Sequence, residues 1–156
     1  MNLRPAVPAF VAALVLVLAG CATDGLALTE VSDGLSDYAG AEITTTGRVG
    51  RGVPVSGTNL TAYQFEDDEK TVAVLSTVAP EHGERRVVTG RVVPFTGEFA
   101  ALEQEQDGVR DAIAAYLTEA GIGEDSIEGA TDQSFNLVRT FTLANAATFF
   151  LLEEEG

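Results

Sequence analysis

Tryptophan is missing from this 156-residue chain, and cysteine, histidine and lysine occur once each, as Cys21, His82 and Lys70. One cysteine excludes an internal disulfide and any zinc site built from cysteine pairs. One histidine excludes a His-rich metal centre within a single chain. Positive charge is scarce as well: nine Lys and Arg stand against 24 Asp and Glu, a formal charge of −15. Phosphate backbones are held by clustered cations, so this balance argues against nucleic acid as the main partner. There is no dinucleotide fingerprint, phosphate loop or catalytic dyad. The sequence therefore offers no catalytic residue, no metal ligand and no cofactor, and its length predicts one domain.

What is present begins with an address. Residues 1–20 carry one charge, Arg4, followed by an apolar run from Phe10 to Ala19. That run is short for a membrane span, which takes roughly 20 apolar residues. A positive start, a short apolar middle and small residues before a break read as a secretory signal. The break, Leu18-Ala19-Gly20-Cys21, resembles the lipobox of secreted lipoproteins. The resemblance implies a signal peptide over 1–20, a diacylglycerol on Cys21 and a lipidated tether over 21–27. Two or three acyl chains hold a protein stably where one chain does so only marginally. The expectation is an exported protein anchored to the cell-envelope membrane, periplasmic or at the cell surface. An uncleaved anchor and an unmodified cysteine are the alternatives. Without Arg4, eight cations face the same 24 acids. Many carboxylates, a single Lys and Arg in its place form the pattern of a salt-adapted, halophilic surface, because concentrated salt screens self-repulsion.

Residues 28–156 read as the folded domain. Thr29 to Tyr38 suits a short helix or turn. From Ala41 the period becomes two, with Ile43, Thr45, Gly47 and Val49 on one face and Glu42, Thr44, Thr46 and Arg48 on the other, which predicts a half-buried strand. Gly50 to Asn59 reads as a loop. Leu60 to Phe65 and Thr71 to Leu75 form a hairpin across the charged turn Glu66-Asp67-Asp68-Glu69, and Arg86 to Val93 is a fourth strand. A helical insertion is predicted over about 98–121, with a possible break at Gly108. Gly123 to Asp132 reads as polar loop. Ala146 to Leu152 is the fifth strand, running into a solvated Glu153-Glu154-Glu155. Thr-Gly-Arg-Val occurs twice, at 46–49 and 89–92. Glycine weakens a strand unless the sheet bends sharply or another backbone comes close, so the repeat points to a small, tightly coiled barrel.

Tyr38-Ala39-Gly40-Ala41-Glu42-Ile43-Thr44, the two Thr-Gly-Arg-Val segments and Tyr63-Gln64-Phe65-Glu66-Asp67 together resemble exported or lipid-anchored prokaryotic OB-fold proteins of the tRNA-anticodon-like type. The likeness implies a mainly β fold, a five-stranded OB-fold barrel, here with the helix between strands 4 and 5. It implies little about activity, since this fold hosts many functions. The face of strands one to three is then the expected contact surface, with Tyr63, Phe65, Arg48, Arg51 and Arg91 as its candidate residues. Arg85 and Arg86 could join them where strands one and four meet. A stacking platform for single strands needs aromatics interleaved with cations, and here four acids adjoin the two aromatics. Glu66 to Glu69 lacks the spacing of a calcium loop, so a solvated turn is preferred. His82 reads as a loop residue. The expected function is a non-enzymatic, lipid-anchored envelope module binding a protein, peptide or small cationic molecule. The alternatives are a single-stranded nucleic-acid binder with a salt-adapted surface and a structural envelope lipoprotein.

Overall fold

The computed structural model describes residues 25–95 and 102–154. The expected signal, Cys21, the start of the tether, the first residues of the 98–121 insertion and Glu155 lie outside the described residues. Two short helices, α1 (Leu28–Asp33) and α2 (Leu35–Tyr38), precede β1 (Glu42–Pro54), β2 (Thr61–Glu66), β3 (Thr71–Ser76) and β4 (Arg85–Pro94). Two long helices, α3 (Leu102–Glu119) and α4 (Glu124–Ala144), then lead to β5 (Phe149–Glu153). The strands close in the order β1-β2-β3-β5-β4, with β4 pairing back onto β1. Every pair is antiparallel except β3 with β5. This is a closed, mixed, OB-like barrel with its helices between β4 and β5.

Closure depends on the two Thr-Gly-Arg-Val glycines. A Cβ on Gly47 would overlap the Glu66 carbonyl oxygen and stand 2.8 Å from the Phe65 ring. One on Gly90 would stand 2.8 Å from the Leu152 carbonyl oxygen. Neighbouring backbone crosses both strands where only glycine leaves room. Inside the barrel lie Ile43, Val49, Tyr63, Phe65, Val72, Val74, Val88, Val92, Phe149 and Leu151, joined by Leu28 and Val31 of α1. Asp67 in the β2–β3 turn accepts the Leu28 N–H at 2.8 Å, Ser32 bonds Thr148 at 3.1 Å, and the Gly40 N–H donates to the Val92 carbonyl at 2.8 Å. These contacts seat the α1–α2 pair over the end of the barrel where β2 meets β3 and β5 begins.

A second core lies outside the barrel wall. Ala62, Ala73, Leu75, Val93, Phe150 and Leu152 point outward and are covered by Val109, Ile113 and Leu117 of α3 and by Ala130, Phe135, Val138 and Phe141 of α4. β3 and β5 are thus buried on both faces.

Four expectations are corrected. The segment 50–54 is strand, not loop: β1 continues past a bulge between Val49 and Gly52, where one extra residue re-aims it along β2. Gly108 does not break α3. Residues 124–132 are helical, because Ile127, Ala130, Thr131, Ser134, Phe135, Val138, Phe141 and Thr142 recur at helical spacing and pack inward. Glu153 is not solvated; it is 7 % exposed and ends β5 inside the barrel.

Candidate binding surfaces

The surface expected to contact a ligand is largely occupied by the chain itself. α3 and α4 fill the outer face of β2, β3 and β5 with the apolar contacts just described. Hydrogen bonds fix them there: the Tyr116 hydroxyl donates to the Glu153 carbonyl at 2.8 Å, and the Ser56 N–H donates to the Gln133 side-chain oxygen at 3.0 Å. Tyr63 and Phe65 alternate the other way, into the barrel, and are 0 % exposed. Enclosed on all sides, their rings are not a stacking platform. The sequence grouped them on the contact face of strands one to three, but the face they share is the interior.

Tyr63 instead takes part in a buried polar lock. Its hydroxyl donates to a Glu153 carboxylate oxygen at 3.0 Å, and the other carboxylate oxygen pairs with the Arg86 guanidinium, which lies 5.9 Å from the Tyr63 ring centre. Burial, and next the Glu153 carboxylate, push the Tyr63 hydroxyl well above the ordinary phenol range, so it remains a donor. A carboxylate, a guanidinium and a phenol pair with one another here, a charge-assisted arrangement that leaves the Arg86 Nε without an acceptor. It lies beside a cleft of about 260 Å³ lined by Thr77, Tyr116, Glu119, Ala120, Glu153 and Glu154. Sequence reading missed the lock because Glu153 sits in an acidic tail; Phe149, Leu151 and Glu153 sharing one face of β5 was the available signal.

The acidic turn is also structural. Asp67 accepts the backbone N–H groups of Leu28, Glu69 and Lys70 at 2.8, 2.9 and 2.8 Å. Partial burial works against its charge, but the three N–H groups outweigh it and hold the carboxyl below the usual aspartate range. Glu69 accepts the Thr29 hydroxyl at 2.6 Å. Among the described residues, no group of three or more His, Cys, Asp or Glu side chains is placed to hold a metal ion. His82 is exposed in the β3–β4 loop.

The candidate arginines divide. Arg48 and Arg85 stand directly opposite each other on β1 and β4, exposed on the outer wall. Arg91 is on the same wall, opposite Glu42 and 3.1 Å from Glu154. Arg51 is exposed at the bulge, and Arg86 turns inward to the lock. Strands β1 and β4 therefore bring Arg48, Arg85 and Arg91 to one exposed face, where Arg48 and Arg85 share a depression with Glu66, Asp67 and Asp68, but not around Tyr63 and Phe65. Compared with known protein families and with curated proteins, the chain matches none.

Proposed function

We propose that the protein is a lipid-anchored module of the cell envelope that binds or positions a partner and has no chemistry of its own. The observation that carries this reading is the placement of Cys21, directly after a secretory-type apolar run and close in sequence to Leu26, whose N–H bonds β1 of the closed barrel. A protein, a peptide or a small cationic molecule suits the acidic surface, including the cleft beside Glu119, Glu153 and Glu154. Single-stranded nucleic acid is disfavoured because the aromatics that would stack bases are enclosed and the outer face of β2 and β3 is filled by α3 and α4. The acidity supports a salt-adapted source.

The experiment is fractionation of cells expressing the full chain and its Cys21→Ser variant, with the mass of the Cys21 peptide measured on the membrane fraction. The expected result is a diacylglycerol-modified Cys21 in membranes and release of the variant. An unmodified thiol on membrane-extracted protein refutes the anchor. Tight retardation of a single-stranded oligonucleotide at low salt would overturn the choice of partner.

A further inference from the structure

Between β1 and β2 the chain turns through residues 55–60. Val55 and Leu60, each 1 % exposed, anchor the two ends of this loop in the core under the helices, and the Val55 N–H donates to the Leu60 carbonyl at 2.9 Å. The Thr58 hydroxyl ties the loop together: it donates to the Val55 carbonyl at 2.8 Å and accepts the Leu60 N–H at 3.0 Å. Gly57 makes the reversal at a φ of +75°, and a Cβ there would meet nothing within 4 Å, so the tip stands in open space. Asn59 lies between Thr58 and Leu60 and is exposed.

Asparagine in a turn ordinarily has a structural reason: it tolerates a left-handed backbone, or its side chain bonds the backbone nearby. Neither holds for Asn59. Its φ is not positive, since Ala146 is the sole non-glycine residue at positive φ among those described. Its side-chain amide makes no hydrogen bond among the described residues, and the Thr58 hydroxyl closes the loop instead. What singles Asn59 out is the residue two positions on. Of the four asparagines, Asn2, Asn59, Asn136 and Asn145, Asn59 alone is followed at the second position by a hydroxyl residue, in Asn59-Leu60-Thr61. Asn-X-Thr with X other than proline is the acceptor pattern of N-glycosylation. Thr61 opens β2, and its hydroxyl has no hydrogen-bond partner among the described residues either.

We propose that Asn59 is a glycan acceptor, the site at which an enzyme on the export side of the membrane joins a sugar to this chain. The proposal rests on the reading of the chain as exported. The donor is a sugar carried on a polyprenyl phosphate or diphosphate. Asn59 Nδ2 forms the bond to the anomeric carbon, and the bond from that carbon to the phosphate oxygen breaks. The oxygen keeps the electron pair and one Nδ2 proton passes to the released phosphate; nothing is oxidised or reduced. Leu60 is buried and bonded through both its N–H and its carbonyl, so an enzyme grips the Asn-Leu-Thr stretch before the loop closes. Transfer therefore precedes folding, as the chain emerges from the membrane. Once the barrel has formed Asn59 stays exposed, and the fold holds a bulky, hydrated group there without displacing either core.

The test reads the mass of one peptide. Trypsin cuts after Arg51 and Lys70 and nowhere between, releasing residues 52–70 with Asn59 inside. The full chain is purified from its own cells, and this peptide is weighed and fragmented in the mass spectrometer. The expected result is a mass gain of one or more sugar residues, located on Asn59. Asn59→Gln and Thr61→Ala are each expected to abolish the gain, and Thr61→Ser, which restores the hydroxyl, is expected to keep it. An unmodified peptide in the native chain overturns the proposal, as does a sugar located on Ser56, Thr58 or Thr61, or one that persists in Asn59→Gln. The spectrum of the native chain decides even where a variant does not fold. The Cys21 peptide is read in the same digest: a lipidated Cys21 with a bare Asn59 refutes the glycan and leaves the anchor standing, and a glycan on Asn59 with an unmodified Cys21 thiol does the reverse.

Discussion

Removing the Glu153 carboxylate breaks a buried charge pair at the end of β5. Glu153 is 7 % exposed and Arg86 17 %, and the Arg86 Nε is buried without an acceptor of its own. Glu153→Ala strands the guanidinium and leaves the Tyr63 hydroxyl without an acceptor. Breaking a buried pair from one side costs about 3–5 kcal/mol. Partial exposure of Arg86 places the loss near the lower end, and an unsatisfied phenol adds about 1 kcal/mol. A total of about 4 kcal/mol is a large share of the roughly 5–15 kcal/mol that holds a domain together. Replacing the pair together, Arg86→Met with Glu153→Leu, removes the desolvation penalty along with the attraction and is expected to stay within about 1 kcal/mol of the native chain. Equilibrium urea unfolding of the native chain, each single variant and the double variant, followed by far-ultraviolet circular dichroism at fixed salt, gives the coupling directly. Loss of less than about 0.5 kcal/mol in Glu153→Ala would refute the reasoning, because it would mean that water already solvates Arg86 in the folded state. A double variant as unstable as the two single losses added together would refute it too.

Gly47→Ala and Gly90→Ala should each destabilise by about 1–3 kcal/mol, since backbone cannot yield as a flexible side chain does; thermal melts unchanged within a degree or two would show that the strands relax freely there. Asp67→Asn should loosen the N-terminal helix by about 1–3 kcal/mol at neutral pH, measured as faster amide exchange at residues 28–31. Because the folded Asp67 carboxyl ionises below its ordinary value of 3.8, its contribution is complete above that value and is lost as pH falls through the lower folded one. The native and Asp67→Asn stability curves should therefore converge in acid; a gap that stays constant down to pH 2 would contradict the capping role. For the whole chain, melting temperature should rise from low to molar NaCl as repulsion among the 24 acids is screened, and a flat or falling trend would count against salt adaptation.

The barrel was legible where local pattern and global fold agree. Ile43, Thr45, Gly47 and Val49 alternate in sequence and line the interior together. The repeated Thr-Gly-Arg-Val marked two places of close backbone approach, because few other pressures keep glycine in mid-strand. Less legible was the helix α4. Its buried stripe contains Thr131, Ser134 and Thr142 alongside Phe135, Val138 and Phe141, and hydroxyl side chains at inward positions dilute the apolar period that identifies a helix. The candidate site suffered most. Period two tells which residues share a face and is silent on which face is the inside, so Tyr63 and Phe65 were grouped correctly and oriented wrongly.

One signal could have oriented them. A strand covered on a single side alternates, whereas a strand covered on both sides runs apolar without pause. β1 alternates from Glu42 to Val49 and β4 from Arg85 to Val92; β3, Thr71-Val72-Ala73-Val74-Leu75-Ser76, and β5, Phe149-Phe150-Leu151-Leu152, do not. Two uninterrupted strands in a barrel whose interior already takes every second residue require something apolar outside them. The chain between β4 and β5 is the segment long enough to supply it. The same contrast leaves the outer face of β1 from Glu42 to Arg48 and of β4 from Arg85 to Arg91 open among the described residues. Coverage of β3 and β5 by α3 and α4 and the open outer face of β1 and β4 are thus two consequences of one pattern of alternation, and a ligand for this barrel has to be sought away from β2 and β3.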